Sequence, residues 1–262
     1  MNYMVVGVGS QNRGLVTLSD SSRLELMVLD PSLPEEDITA FVTMQNEAWG
    51  FHAISNETFR RRLERGILVG GYLGNEPAAL LETTSLNLEG VARIEKTTED
   101  YRERAYGVAR LLHGHAKDYN GLTNDGEWFA DETGSNVLVM VDLTVPKRVA
   151  GKGLFRPQVS YFKTLMLGQD GFQRPEDLKD VRYILSFSPK PNDYSGPDYK
   201  GGIVLAHTRI GGAFNTGYVW ENARPGHPEP DVVMMCYMAP GYVPRIGMTI
   251  QRVSTNGTTP KS

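Results

Sequence analysis

The stretch from Val137 to Gly153, VLVMVDLTVPKRVAGKG, restricts the fold more than any other part of this chain. An apolar run ends at Val145. The turn Arg148-Val149-Ala150-Gly151-Lys152-Gly153 follows, and a helical pattern opens at Leu154. Strand, glycine-bearing turn and helix together aim several backbone N–H groups at one anion. The N–H groups of Val149 to Leu154 carry most of such a contact. Gly151 and Gly153 present no Cβ to an approaching ligand. Arg148 and Lys152 add positive charge, and the dipole of the following helix adds roughly half a charge more. The implied ligand is of the pyrophosphate type.

Composition narrows the class. With 262 residues, the chain is long enough for one large domain or two small ones. It is 40% hydrophobic and 22% charged, which suits a soluble globular protein with a sizeable core. A net charge of -4 argues against a general nucleic-acid binder. No apolar run reaches the ~18 residues of a membrane span. The N-terminus lacks the basic and apolar segments of a secretory signal. Cys236 is the only cysteine, so no internal disulfide is expected, which fits a reducing cytoplasm.

Periodicity places the elements. Arg23–Leu29 alternates as a strand, and Pro31 and Pro34 lead into a helix ending near Ala48. Ser55 caps a second helix, 56–65, closed by Gly66. Residues 67–88 read as a β-hairpin turning at Gly74-Asn75-Glu76-Pro77. Residues 89–135 interrupt the alternation and hold a helix over 101–116 and a polar loop. After the strand 137–145 and its turn, a helix runs from Leu154 to Leu167. A strand over 181–187, a short helix over 203–210 and strands over 215–220 and 232–238 complete the order. Residues 1–22 carry no clear pattern, and 240–262 read as an extended tail. Gly7-x-Gly9 after an apolar triplet imitates a dinucleotide fingerprint, but no helix follows it.

Arg148-x-x-Gly151-x-Gly153, after a strand ending Leu143-Thr144-Val145-Pro146, resembles the acyl-CoA signature Gln/Arg-x-x-Gly-x-Gly/Ala of the GNAT superfamily of N-acyltransferases. The element order from Arg23 to Met238 is similar to that family's as well. The resemblance implies an α/β GNAT fold: a mixed sheet of about six to seven strands flanked by helices, with a long insert between the third and fourth strands. It implies a single domain over 1–262, with a core over about 23–240, the insert at 89–135 and a tail at 241–262. The long insert and the long loop after Asn192 depart from the family pattern, and both would frame the acceptor side.

The resemblance also implies acetyl-CoA, or another acyl-CoA, as co-substrate. Val149, Ala150, Lys152 and Leu154 would hold its pyrophosphate together with the three signature residues. Main-chain groups of Leu143 and Val145 would pair with the pantetheine arm, and Asn192 sits where family members place an Asn beyond the fifth strand.

Asp142 is a lone carboxylate in an apolar strand, costly unless it is paired or used. By resemblance it would help to hold or deprotonate the acceptor amine; pairing with a neighbouring Arg, or capping a loop, is the other reading. His207, four residues before Gly211, stands where many members have a tyrosine acid, with Tyr194 and Tyr199 as rivals. His113 and His115 lie on different helix faces, so no metal is expected. Glu47, Trp49, Phe51 and His52 end the first helix on the acceptor side.

The expected activity is transfer of an acyl group, acetyl first among them, from CoA to a primary amine by direct attack. Cys236 is no evident nucleophile, and a backbone N–H near Val145 would polarise the carbonyl. The alternatives are a non-catalytic acyl-CoA-binding protein, or a donor with a longer chain or an acyl carrier protein. Expected partners are a small-molecule amine, no nucleic acid and no membrane, and a homodimer is compatible. The 89–135 insert is expected to form a lid or wall over the acceptor side.

Overall fold

The computed structural model describes residues 12–49, 54–123, 134–246 and 248–253. Nine strands are found there, more than the six to seven expected: β1 (Gly14–Thr17), β2 (Arg23–Leu29), β3 (Gly66–Leu73), β4 (Glu76–Leu86), β5 (Val137–Thr144), β6 (Tyr183–Pro189), β7 (Phe214–Trp220), β8 (Val232–Met238) and β9 (Gln251–Arg252). They form one sheet in the order β7-β8-β6-β5-β4-β3-β2-β1-β9. Every neighbouring pair is antiparallel except β5 and β6, which run parallel.

Side-chain alternation divides the core into layers. Leu24, Leu26, Val69, Ala79, Leu81, Leu138 and Met140 face one side, where helix α6 (Phe155–Leu167) packs with Val159, Phe162 and Leu165; α7 (Gly202–Arg209) adds Val204. Leu80, Leu29 and Leu68 face the other side, under α1 (Glu35–Trp49) and α2 (Asn56–Arg65), whose Ile38, Phe41, Met44, Phe59 and Leu63 complete that layer. Ser55 caps α2 as expected, its side chain accepting from the Thr58 N–H.

The insert supplies the rest of this second layer. It holds α3 (Val91–Thr97), α4 (Tyr101–His115) and α5 (Tyr119–Leu122). Val108, Ala109 and Leu112 of α4 are buried with Val137, Val139, Tyr183, Trp220 and Met234. His113 stacks on Trp220 at 5.1 Å and shares a hydrogen bond with Tyr218. The described residues of the insert therefore form a core layer. Its apolar helix face covers the half of the sheet that α1 and α2 do not reach.

The tail also differs from expectation. Residues 157–166 of α6 are buried on every side. The sheet covers one flank, and described residues near Asn12 and over Arg245 to Ile250 cover another. Tyr161 donates to the Asn12 carbonyl, and Lys163 to the carbonyls of Gly211 and Arg245. Ile250 is buried, and β9 pairs with β1. Strands of two and four residues are too short to show a period in sequence, which is why β9 and β1 escaped detection.

Candidate active site

The parallel pair opens in the middle. β5 and β6 pair from Val137 opposite Tyr183 to Met140 opposite Ser186, and no further. Beyond that point Asp142–Thr144 stay on β4, while Phe187–Pro189 stay on β8. Two strand edges thus face each other without a ladder between them. A bulge marks the parting: Glu82 is opposite Asp142 and Thr83 opposite Met140, which leaves Val141 as the extra residue. The Val141 carbonyl accepts from the Tyr119 hydroxyl of α5 at 3.0 Å, the insert's point of contact with this opening.

The glycine turn lies at the same end of β5. A short 3-10 turn over Lys147–Val149 leads to Gly151 and Gly153, at φ 87° and 74°. Side chains rarely adopt those angles, and no atom lies within 4 Å of where a Cβ would stand on either residue. Among the described residues, the N–H groups of Gly151, Gly153, Leu154 and Phe155 meet no protein acceptor. Four unanswered donors at the start of a buried helix are the arrangement that can receive an anion. Gln158, in the first turns of α6, is fully buried with both amide atoms unpartnered.

The two cations of the turn meet protein partners. Arg148 donates to the Pro77 carbonyl at 2.6 Å and lies 3.8 Å from Glu76. Lys152 pairs with Asp20 of the β1–β2 turn, and that bond, with those from Ser22, holds the Asp20 carboxyl far below its usual range. Both side chains thus bond acidic or carbonyl neighbours and stay partly exposed beside the turn.

Asp142 sits in the opening, partly exposed, within a polar cluster that the sequence reading did not assemble. Thr144 donates to it at 2.7 Å and the Gln45 amide at 3.5 Å. The same Gln45 nitrogen donates to Glu82, which lies opposite in β4, and Arg62 of α2 donates to Glu82 at 3.1 Å. Glu82 is fully buried. Burial pushes its carboxyl up to about 7, with the Asp142 charge raising it and the Arg62 charge opposing the rise. Burial raises Asp142 too, against the hydrogen bonds of Thr144 and Gln45. Glu82 could have been found by the rule that singled out Asp142, a lone carboxylate inside an apolar strand. Gln45 and Arg62 carry no such signal, because each is one polar residue on an amphipathic helix.

No family model and no curated protein matches the chain. Among solved structures, the GphF GNAT-like decarboxylase in complex with isobutyryl-CoA aligns over 81% of this chain and 98% of its own, at 14% identity and a TM-score of 0.50. The chain has the GNAT fold. Two further matches are the ribosomal L7/L12 α-N-protein acetyltransferase RimL in complex with coenzyme A (11% identity, 86% of this chain and 98% of that one, TM-score 0.48) and the Escherichia coli ribosomal-protein-S18-alanine N-acetyltransferase (14% identity, 89% and 99%, TM-score 0.43).

The other described sequence candidates lie on α7, on β8 and in the loop after β6. His207 is buried on α7, with Nδ1 bonded to the Tyr237 hydroxyl at 2.6 Å and its ring edge-on to Phe155. Burial lowers its pKa to about 4, so at neutral pH it has no extra proton to give. Tyr194 bonds Asn215, and Tyr199 bonds Asp193. Asn192 is exposed in the turn beyond β6. Cys236 is buried, donates to the Met238 carbonyl at 3.1 Å, and has its thiol pushed up by burial. Gly7, Gly9, Phe51, His52, Trp128 and the Trp49 side chain lie outside the described residues. Among the described residues no group of three His, Cys, Asp or Glu side chains could hold a metal ion, and no helix is long and apolar enough to cross a membrane.

Proposed function

We propose that this chain is an N-acyltransferase that moves an acyl group, acetyl in the simplest case, from CoA to a primary amine. The observation that carries this reading is the parting of β5 from β6 directly beside the unanswered N–H groups of the glycine turn. An extended pantetheine arm fits between two unpaired strand edges as a short extra strand, by the logic of β-augmentation. The pyrophosphate would rest on the N–H groups from Gly151 to Phe155. Leu143 and Val145 would offer main-chain groups to the arm, and a backbone N–H near Val145 would polarise the thioester carbonyl.

Asp142 is the proposed base. An ammonium is not a nucleophile, and a carboxylate with a raised pKa removes its proton near neutrality. The neutral amine then attacks the thioester carbon, the C–N bond forms, and the C–S bond breaks as CoA leaves. His207 is not carried into this mechanism because it is neutral and hydrogen-bonded to Tyr237. The state of Cys236 favours direct attack over an acyl-enzyme. A non-catalytic acyl-CoA binder is the other reading on this fold. Asp142 hydrogen-bonds to Thr144 and Gln45 beside the opening and keeps part of its surface exposed there, which favours the enzyme. Thiol release from acetyl-CoA in the presence of a panel of primary amines is the test. Release that depends on both amine and Asp142 supports transfer, and CoA binding without release supports the binder.

A further inference from the structure

Asp142 does not stand alone. It faces Glu82 across β4 and β5; Glu82 is fully buried, and Asp142 is half-buried at the opening. The Gln45 amide nitrogen donates to both of them. Arg62 of α2 is the cation on the pair among the described residues. The other groups facing it are uncharged at neutral pH: Thr144 on β5, and Tyr119 on α5, whose phenol is raised by burial and by the charges of Asp142 and Glu82. Arg224 acts on Tyr119 from beyond it. Two carboxylates against one guanidinium leave one net negative charge in a buried place, and a single proton cancels it. Two carboxyl groups bridged by one amide nitrogen lie close enough to titrate as a unit.

We propose that Glu82 is a positioning residue for Asp142: the two carboxyl groups hold one proton between them over Arg62, and once that proton is gone the pair accepts one from the acceptor ammonium. This deepens the acyltransfer reading and rests on it. Glu82 is fully buried and reaches the opening only through Gln45 and Asp142. In the step itself an N–H bond of R–NH3+ breaks and an O–H bond forms on the pair. The pair with Arg62 passes from one negative charge to neutral, and the amine keeps the electron pair that attacks the thioester. The deprotonated pair therefore selects a cationic amine and discharges it in the same place. The Gln45 amide oxygen, buried and unpartnered among the described residues, leaves one acceptor for a further N–H of that ammonium.

Carboxyl-carbon NMR titration of the ligand-free protein between about pH 4 and 9 tests the pair without any substrate. In the wild type the Asp142 and Glu82 signals should move together, with a shared upper midpoint above about pH 6. In Glu82→Gln the Asp142 midpoint should fall by at least ~1 pH unit, a tenfold gain in acidity, and Glu82→Asp should restore it. An unchanged Asp142 midpoint in folded Glu82→Gln would overturn the proposal and leave Glu82 as a structural ion-pair partner of Arg62. Should that variant not fold, the wild-type titration decides, and both carboxyls already ionised at about pH 5.5 would also overturn it. Neither CoA nor amine is present, so this outcome is separate from the thiol-release result that tests acyl transfer.

Discussion

Gly151 and Gly153 hold backbone angles that disfavour a side chain, and they border open space. A valine at either position would strain the turn and put a branched Cβ where an anion must approach. In a folded variant, CoA affinity should drop at least ~30-fold, about 2 kcal/mol, by calorimetric titration. Equal affinity in variant and wild type would remove the turn from the site. Asp142→Asn should keep CoA affinity and lower amine-dependent thiol release ~10²-fold, the usual worth of a general base. Turnover matching the wild type from about pH 6 to 9 would make Asp142 structural. Asp20→Asn removes the partner of Lys152. CoA should then bind about two- to fivefold tighter at low salt, with the gain fading as salt rises. Both glycines and Asp142 were legible in the sequence, because a glycine turn after a strand and a charge in an apolar strand each break a local pattern. The engagement of Arg148 and Lys152 was not, since Pro77 and Asp20 reach them only through the fold.

At the scale of elements, the glycine turn, the helix after it and the hairpin of β3 and β4 were readable from periodicity and punctuation. The role of 89–135 was not. Its apolar positions Val108, Leu111 and Leu112 announced a packed helix, but which surface they cover depends on where the sheet leaves a face bare. Leu112 is fully buried under the sheet. Leu112→Ala should cost about 2–5 kcal/mol in a denaturant titration. A loss below about 0.5 kcal/mol would show that α4 is peripheral. For the same reason, replacing 91–134 by a short linker should unfold the β5–β8 half of the sheet. A deletion variant with wild-type stability would restore the lid that the sequence suggested.

Across the whole molecule, the sheet order β7-β8-β6-β5-β4-β3-β2-β1-β9 makes the opening. β6 turns to β8, β5 stays with β4, and Asn12 and Arg245 hold α6 in place behind the turn. The long-range pairings that do this, β9 on β1 and the 240–253 strap on α6, leave no trace in local pattern. Buried titratable groups also make stability depend on pH. His207 binds its proton at about 4 in the folded chain, below its ordinary 6.5. The unfolded chain therefore holds more protons between those values, and stability is full above 6.5 and lost as pH falls through them. Glu82 acts in the opposite sense: raised from 4.5 to about 7, it stabilises most below 4.5 and loses that contribution as pH rises through 7. His207→Phe should flatten the acid-side fall in denaturant midpoint between about pH 6.5 and 4, whereas an unaltered slope would mean that another group carries it.

The central claim is that acyl-CoA lies in the gap between β5 and β6 with its pyrophosphate on the glycine turn. A crystal structure with acetyl-CoA tests it most directly. The account predicts pyrophosphate oxygens within hydrogen-bond distance of the N–H groups from Gly151 to Phe155, the pantetheine arm alongside Leu143 to Val145, and the thioester facing Asp142. CoA bound elsewhere on the molecule, or a gap between the strands that stays closed to it at millimolar acetyl-CoA, would contradict the account.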